Sequence, residues 1–270
     1  MAKPLIDPKK VTNSEPGATL KRLALDCRVI VDAADGGAWQ MAVDEVLLES
    51  AAAGLGATLR FYRWREPTLS LGYFQASADR SSHQASAACP LVRRQTGGGG
   101  IVHDQELTYS LALPRAHPLA DDPTSLYRGV HLALVRVLGS FGISARLCED
   151  RGPQAVGEQP FLCFERRAAG DVLVDSWKIC GSAQRRRRGA ILQHGSLLLA
   201  GSARAPQLPG LLELCNKSLP DSELIDRWRV ELAESLRLNF HPGYLSAKER
   251  EAAGALAAAK YAAWDWTARR

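Results

Sequence analysis

Apolar residues occupy every second position in the segment Glu106 to Leu113. A period of two is typical of a strand that buries one face and exposes the other, so this segment is predicted to be a half-buried strand. Shorter apolar runs between turn residues predict further strands. These runs are Cys27 to Val31, Leu59 to Trp64, Leu69 to Tyr73, Pro90 to Val92, Ile143 to Leu147, Val172 to Val174, Ile179 to Ala183 and Ser196 to Leu199.

Four other segments repeat their apolar residues every three or four positions, which predicts helices. They run from Gly37 to a cap at Gly54, from Thr124 to Leu138, from Asp221 to Leu236 and from Ser246 to about Trp264. Ser246 and Glu249 have the spacing of a capping box at the start of the last helix. Residues 76–88 have a weaker pattern that favours a helix.

The order of these elements predicts a mixed α/β (α+β) protein, in which a largely antiparallel sheet is interleaved with helices. Residues 21–270 are interpreted as one domain, in which residues 205–270 form a helical C-terminal segment. Residues 1–20 contain three prolines and no periodicity, so we expect a loose arm there. Residues 149–161 are polar and contain two glycines and two prolines, which favours a mobile loop.

The bulk composition limits the class of protein. The chain has 270 residues, of which 46% are hydrophobic, enough for a sizeable core. No apolar run reaches the roughly 18 residues of a membrane-spanning helix, and the first ten residues carry charges and prolines. A signal peptide needs an apolar core there, so we expect a cytoplasmic protein with no membrane partner. The six cysteines include no Cys-x-x-Cys pair, so no metal site is expected.

The formal net charge of +5 favours acidic partners without identifying them. The sequence has neither a zinc-finger nor a helix-turn-helix pattern, and its basic residues are mostly scattered, so nucleic acid is not an expected partner. One basic run, Arg185 to Arg188, is the exception. It is interpreted either as a solvated loop between strands or as a docking patch for an acidic carrier protein.

The segment that most suggests a functional site is Arg93-Arg-Gln-Thr-Gly-Gly-Gly-Gly-Ile-Val-His-Asp104. Four consecutive glycines allow positive φ angles and let backbone amides approach a ligand closely. Arginines precede the glycines and a His-Asp pair follows them, so the loop is a candidate site for an acyl or phosphorylated group. The alternative is a long turn with a solvated rim.

This segment resembles the Arg-Arg-x-(Ser/Thr)-Gly-Gly-Gly-x-Val-x-His-Asp signature of the lipoate-protein ligase and octanoyltransferase family. Downstream, Lys178 to Gln184 and Leu192 to Leu197 resemble the family's Lys-x-x-Gly-(Ser/Thr)-Ala segment and its His-Gly-(Ser/Thr) strand. Weaker likenesses to the family's first helix and hairpin lie at Met41 to Glu45, Leu59 to Trp64 and Ser70 to Gln75. Several motifs in one order are far more specific than any one of them alone.

The resemblance implies the biotin/lipoate protein ligase catalytic fold, a bent mixed sheet flanked by helices. It also implies a catalytic domain similar to the cysteine-dependent octanoyltransferases. These enzymes move octanoyl from acyl carrier protein to a cysteine, and then to a lysine of a lipoyl domain or of glycine-cleavage H protein, without a cofactor. Cys163 lies 15 residues before Lys178 and matches the family's cysteine. The residues that follow, Glu165 to Gly170, depart from the family's pattern.

Cys163 and Lys178 are therefore the expected catalytic residues. Lys178 would stabilise a Cys163 thiolate and the negative charge that develops on the acyl carbonyl oxygen. Cys180 is the rival nucleophile, because it shares a face with Lys178 if that strand is regular. Cys163 would otherwise be a small buried hydrophobic residue. The residues expected to bind the acyl group or substrate are Arg94, Thr96, Gly97, Gly98, Gly99, His103, Gly181, Ser182 and Ala183.

Several individual roles stay open at this point. Arg94 would either stabilise the loop or contact the carrier's phosphopantetheine. His103 would be either a proton shuttle or the structural partner of the aspartate that follows it. His194 is interpreted as structural, and Asp44 and Glu45 are expected to face solvent or to cap the sheet.

Three alternative functions are compatible with the same resemblance. An ATP-dependent lipoate-protein ligase would need ATP but no nucleophilic cysteine. Many such ligases append a separate C-terminal domain, whereas the residues after about 205 look like helical packing. An amidotransferase would move octanoyl between two lipoyl-type domains. A non-catalytic binding module would keep the acyl pocket without the chemistry.

Overall fold

The computed structural model describes residues 24–149 and 160–270. The predicted N-terminal arm, and all but the ends of the predicted mobile loop at 149–161, lie outside these residues. No helix in the described ranges is both long enough and apolar enough to span a membrane.

Eleven strands are found in the described part of the chain, and they form two sheets. They are β1 (Leu25–Val31), β2 (Ala57–Tyr62), β3 (Thr68–Leu71), β4 (Leu91–Arg93), β5 (Ile101–His103), β6 (Glu106–Leu113), β7 (Ala145–Leu147), β8 (Val172–Val174), β9 (Trp177–Arg187), β10 (Ala190–Leu198) and β11 (Leu238–Pro242). The large sheet has the order β11-β1-β2-β6-β10-β9-β8-β7, and the small one has the order β4-β3-β5.

The large sheet is mixed and mainly antiparallel, as expected from the sequence. Strand β1 runs parallel to both β11 and β2, and every other pair in this sheet is antiparallel. In the small sheet, β3 is parallel to β4 and antiparallel to β5. The glycine loop connects β4 to β5, so both of its ends are anchored to this small sheet.

The helices of the described residues include those predicted from the sequence. They are α1 (Gly37–Ala52), α2 (Pro123–Ser140), α3 (Leu211–Cys215), α4 (Asp221–Leu236), α5 (Ala247–Leu256) and α6 (Trp264–Thr267), with a π-helical turn at Ala257–Tyr261. Gly54 follows α1 with a φ of +77°, as expected for a cap. The predicted capping box is confirmed, since the Ser246 side chain accepts from the Glu249 amide at 3.2 Å and Glu249 accepts from the Ser246 amide at 2.9 Å.

Two predictions about the sheet were wrong or incomplete. Strand β6 lies in the middle of the sheet, and all eight of its residues are buried rather than half-buried. Helices cover both of its faces: Tyr109 packs against Trp228 of α4 on one side, while Ala112 belongs to the core around α1 on the other. Strand β11 lies within the segment predicted to be helical, where its short sequence ends in a proline.

A third prediction was correct only in part. Residues 76–88 form two short 3-10 helices, Ser77–Ser82 and Gln84–Ser86, instead of one α-helix. Neither contains a continuous apolar stripe, and only Ser86 among their residues is buried. Such short turns are typical of a sequence with too few apolar residues to hold a full helix against the core.

Candidate active site

A cavity of about 950 Å³ opens between the glycine loop, the segment around Cys163 and strands β9 and β10. Most residues that the sequence analysis selected line this cavity. They are Arg94, Gly97, Gly98, Gly99, His103, Cys163, Lys178, Gly181, Ser182 and Ala183. Thr96 is the exception: it is buried beside the cavity and its hydroxyl bonds to His194, 2.7 Å away.

The glycine loop and the cysteine segment are joined through their backbones. The Gly100 amide donates to the Phe161 carbonyl at 2.9 Å, and the Cys163 amide donates to the Gly100 carbonyl at 2.8 Å. A Cβ on Gly99 would lie 2.8 Å from the Phe161 oxygen and 3.0 Å from the Cys163 nitrogen. Gly98 has a φ of +96°. The glycines thus allow the loop to approach the segment around Cys163, a contact that the composition of the loop alone did not reveal.

Cys163 is half-buried, and its sulfur lies 4.0 Å from the Lys178 Nζ. The same amine lies 3.0 Å from the Asp171 carboxylate, and both side chains of this ion pair are almost fully buried. Burial opposes the charge on Lys178, but the neighbouring Cys163 and Asp171 outweigh it and hold the pKa of Lys178 above its usual value. An amine that is charged at neutral pH therefore lies close to the sulfur of a reachable cysteine.

Asp171 is a site residue that sequence reasoning missed. Its carboxylate also accepts from the Tyr127 hydroxyl at 2.6 Å and from the Ala168 amide at 2.7 Å. Three donors fix the carboxylate, which in turn fixes Lys178. The only signal in the sequence is an aspartate directly before the predicted strand Val172 to Val174, and such a residue is more often a simple turn residue.

Cys180, the rival nucleophile, lies in the hydrophobic core and is fully buried. The pairing of β8 with β9 shifts register between Val172 and Leu173, so β9 is not the regular strand that would place Cys180 on the same face as Lys178. Burial raises the pKa of the Cys180 thiol well above its usual value. A thiol that is buried and kept protonated is a poor nucleophile.

Arg94 is buried and binds the glycine loop. Its guanidinium donates to the carbonyls of Ser70 at 3.0 Å, Gly97 at 2.8 Å and Gly99 at 2.8 Å. Burial lowers the pKa of Arg94 to about 10, which leaves it charged at neutral pH. These contacts favour the loop-stabilising role over contact with a carrier's phosphopantetheine.

His103 has a partner other than the one considered in the sequence analysis. Its Nδ1 lies 2.6 Å from the Glu106 carboxylate and its Nε2 lies 2.8 Å from the Ser70 hydroxyl, while its ring stacks on Trp64. The adjacent Asp104 instead accepts from Ser202 at 2.7 Å. Burial lowers the pKa of His103 more than Glu106 raises it, so the ring is held neutral and fixed on both nitrogens.

The expectation that Asp44 and Glu45 face solvent or cap the sheet was wrong. Asp44 is 1% exposed, and its carboxylate is bonded to Arg60 at 3.1 Å, Tyr62 at 3.0 Å and His194 at 2.9 Å. Glu45 is also buried and accepts from Tyr261 at 2.5 Å and Lys260 at 2.6 Å. Helix α1 is covered by the sheet on one side and by the C-terminal helices on the other, so few of its positions reach solvent.

A second cluster of buried polar groups lies next to Ser182. The Ser182 hydroxyl lies 2.7 Å from both Tyr109 and His131, and the His131 Nδ1 lies 2.6 Å from the Gly170 carbonyl. Burial lowers the pKa of His131 to about 4. Sequence reasoning placed His131 on a helix without assigning it a role, because a single histidine on an apolar helix face carries no further signal.

Three of the buried histidines should make stability depend on pH. The pKa values of His103, His117 and His131 are all lowered by burial, so these rings stay neutral in the folded protein while the unfolded chain binds protons below about pH 6.5. Stability is therefore complete above that pH and falls as the pH drops towards the folded-state values. We expect His131 alone to remove about 2 kcal/mol of the free energy of unfolding between pH 7 and 5.

Urea unfolding at several pH values in this range measures the effect. His241→Gln, which changes an exposed histidine, is the control and should leave the slope unchanged. A free energy of unfolding that stays constant or rises from pH 7 to 5 would contradict the prediction.

The mixed sheet, the glycine loop and the cavity beside Cys163 agree with the class of fold expected from the sequence motifs, that of biotin/lipoate protein ligase catalytic domains. Residues 37–214 match the family model described as the Lipoyl protein ligase A/B catalytic domain. The chain belongs to this family.

Curated relatives and solved structures agree with this assignment. The chain is 35% identical over 261 residues to an Octanoyltransferase LipM of Kyrpidia tusciae, covering 86% of this chain and 95% of the relative. It is 31% identical to an Octanoyltransferase LipM of Brevibacillus brevis, covering 90% and 99%. The structure of a putative lipoate protein ligase from T. acidophilum superimposes with a TM-score of 0.74 over 91% of this chain and 100% of that chain, at 24% identity. This last likeness concerns the fold.

Proposed function

We propose that this protein is an octanoyltransferase of protein lipoylation, which carries the acyl group as a thioester on Cys163. The observation that carries the proposal is a reachable cysteine whose sulfur lies 4.0 Å from the buried, charged amine of Lys178. The name of the curated relatives supports octanoyl as the acyl group, since they are similar to this chain over nearly their whole length. A cavity of about 950 Å³ is large enough for an eight-carbon chain and the atoms beside its carbonyl.

The first half-reaction transfers the acyl group to the enzyme. The Cys163 thiolate attacks the carbonyl carbon of a donor thioester, the bond from that carbon to the donor sulfur breaks, and the donor leaves as a thiolate that takes up a proton. Exchange of one thioester for another is nearly isoenergetic, so it needs no ATP. Lys178 stabilises both the attacking thiolate and the oxyanion of the tetrahedral intermediate.

The second half-reaction forms the amide. The neutral amine of an acceptor lysine attacks the Cys163 thioester, Cys163 leaves as a thiolate, and the new amide nitrogen releases one proton. Because Asp171 holds Lys178 at 3.0 Å, the same charge is available to stabilise the departing thiolate. The acceptor in this proposal is a lipoyl domain or glycine-cleavage H protein, and the donor is octanoyl-acyl carrier protein.

Intact-protein mass spectrometry tests this proposal. The purified protein is mixed with octanoyl-acyl carrier protein in the absence of ATP, and a hydroxylamine-labile octanoyl adduct is expected. A parallel reaction with an octanoylated lipoyl domain as donor identifies an amidotransferase. If no adduct forms with either donor, but octanoate and ATP together modify a lipoyl domain, the protein is an ATP-dependent ligase and the proposal fails.

The contact between the glycine loop and the cysteine segment gives a further prediction. In Gly99→Ala the added methyl group would overlap the Phe161 carbonyl and the Cys163 amide, so the backbone that carries the nucleophile must move. We expect adduct formation to slow by at least about tenfold, because small displacements of a reacting atom are costly. Single-turnover acylation measures the rate.

Gly139→Ala is the matched control for this substitution. Gly139 lies near the end of α2, and a Cβ there would meet nothing within 4 Å. Alanine is also the better helix former, so the control should keep both activity and stability. If Gly99→Ala were acylated at the same rate as Gly139→Ala, the backbone around Cys163 would tolerate the added methyl group, and the prediction would be wrong.

A further inference from the structure

An exposed cluster of arginine and aromatic side chains lies beside the cavity. We call it the arginine–aromatic patch, and it comprises Tyr73, Phe74, Arg185, Arg269 and Arg270. Phe74 is 67% exposed, although it is a large apolar residue. The guanidinium groups lie over the two rings, with Arg269 4.3 Å from the centre of Tyr73 and Arg270 5.2 Å from the centre of Phe74.

The arginines of this patch form no ion pair with an acidic side chain of the described residues. Within residues 24–149 and 160–270, none of Arg185, Arg269 and Arg270 forms an ion pair, whereas each of the next three arginines after Arg185 pairs with an acidic residue. Arg93 lies underneath the patch and donates only to backbone carbonyls. The arginines around the Tyr73 hydroxyl, led by its hydrogen bond from Arg269, lower its pKa. Uncompensated charge of this kind attracts an acidic surface.

The patch adjoins the rim of the cavity near the nucleophile. A Cβ on Gly97 would lie 3.8 Å from the Phe74 ring, and Gly97 lines the cavity. A Cβ on the next residue, Gly98, would lie 3.5 Å from the Cys163 sulfur. A protein that covers the patch therefore also covers the cavity entrance on this side.

We propose that the arginine–aromatic patch docks the acceptor, a lipoyl domain with an acidic surface. The inference rests on the proposed function. A lysine side chain extends only about 6 Å from its Cα, so the acceptor must lie directly against the rim beside Cys163. A donor delivers its thioester on a long flexible arm and can bind farther away. Phe74 supplies an apolar contact at the centre of a charged surface, a common arrangement in protein interfaces.

The charges of the patch also suit the chemistry of the acceptor. The attacking amine must lose its proton before it can attack the thioester. Positive charges around the entrance, together with Lys178, disfavour the ammonium form of the incoming lysine and so favour the neutral amine. Carboxylates elsewhere on the acceptor pair with the arginines of the patch and supply the binding energy. The target lysine itself can therefore lose its proton without weakening the complex.

The test separates the two half-reactions. The enzyme is loaded beforehand with a small uncharged octanoyl thioester, and transfer to an isolated lipoyl domain is followed at low ionic strength in single turnovers. The patch variant is Arg185→Ser with Arg270→Ser, and the control is Lys248→Ser with Arg250→Ser, which removes the same charge from exposed positions on α5. Phe74→Ser is a second variant that leaves the charge unchanged.

We expect loading to match the wild type in all variants. Transfer to the lipoyl domain should be about tenfold slower at low domain concentration in the patch variant, and this difference should shrink as salt is added. Phe74→Ser should also slow transfer, but with the salt dependence of the wild type. Transfer equal to that of the control overturns the proposal. So does slower loading from octanoyl-acyl carrier protein with unchanged transfer, which would make the patch a donor site.

Direct binding keeps this test independent of the proposed function. If the wild type does not load at all, the proposed function fails, and titration of the lipoyl domain into the unloaded proteins decides the role of the patch. Equal dissociation constants for the patch and control variants then overturn the docking site. A dissociation constant at least about tenfold larger for the patch variant supports it.

Discussion

Cys163→Ala is expected to abolish the octanoyl adduct and to slow acyl transfer to a lipoyl domain at least about a thousandfold. The physical reason is that no other thiol of the described residues combines exposure to the cavity with a nearby cation. Cys163 lines the cavity 4.0 Å from the Lys178 amine, and the substitution removes the sulfur that the proposed mechanism uses as the nucleophile. Intact mass and single-turnover transfer provide the two readouts.

Cys180→Ala is the discriminating control for this prediction. Cys180 is fully buried, so its loss creates a small cavity and costs some stability, but it should leave the adduct in place. If Cys180→Ala lost the adduct while Cys163→Ala kept it, the nucleophile would be assigned to the wrong cysteine. Melting temperatures of both variants show whether either result comes from unfolding.

Asp44→Ala is expected to reduce the free energy of unfolding by about 3 to 5 kcal/mol at pH 7. The substitution leaves the completely buried guanidinium of Arg60 with one carboxylate partner instead of two, namely Asp32 at 2.8 Å, which is partly exposed. It also removes the acceptor for Tyr62 and His194. A buried charge that loses its buried counter-ion keeps its desolvation cost, and the partly exposed Asp32 compensates only part of it, which is why the expected loss is large.

Asp35→Ala is the matched control, because Asp35 pairs with Arg65 on the surface. Exposed pairs contribute little, so this variant should stay within about 1 kcal/mol of the wild type. Chemical unfolding of the two variants under identical conditions gives the comparison. An equal and small loss in both would mean that the network around Asp44 is not a stabilising ion pair.

The same network adds a pH dependence that is distinct from that of the histidines. Burial works against the ionised form of Asp44, but His194 and Arg60 outweigh it and lower its pKa. The stabilisation is therefore present above the ordinary pKa of an aspartate, near 4, and is lost as the pH falls through the lower folded-state value. Wild-type protein should lose this contribution only below about pH 4, whereas Asp44→Ala should lack it at every pH.

Local sequence patterns predicted most of the elements correctly. The helices with a clear apolar stripe, such as Asp221–Leu236, were found because one face must be buried whatever the topology. The burial of both faces of β6 was not predicted, because it depends on helices that are distant in sequence. Strand β11 was missed for a related reason: a short edge strand is stabilised by its neighbour β1 rather than by its own pattern.

The site residues divide in the same way into those that short sequence motifs identify and those that depend on tertiary contacts. Cys163 and Lys178 were selected because they match short motifs, and the cavity that joins them depends on the whole sheet. Asp171 and His131 were missed because their positions in the site depend on contacts with Lys178 and Ser182, which no local spacing encodes. The buried position of Cys180 depends on a register shift, which a sequence pattern of alternating faces cannot reveal.

The attachment of the cysteine segment to the glycine loop bears on how this enzyme can evolve. Two main-chain hydrogen bonds between residues 100 and 161–163 hold the segment that carries Cys163, and side chains take no part in them. Substitutions in the stretch Glu165 to Gly170, which departs from the family's usual sequence, can therefore accumulate without detaching Cys163. The main-chain attachment of Cys163 is thus compatible with a wide range of side chains in the stretch that follows it.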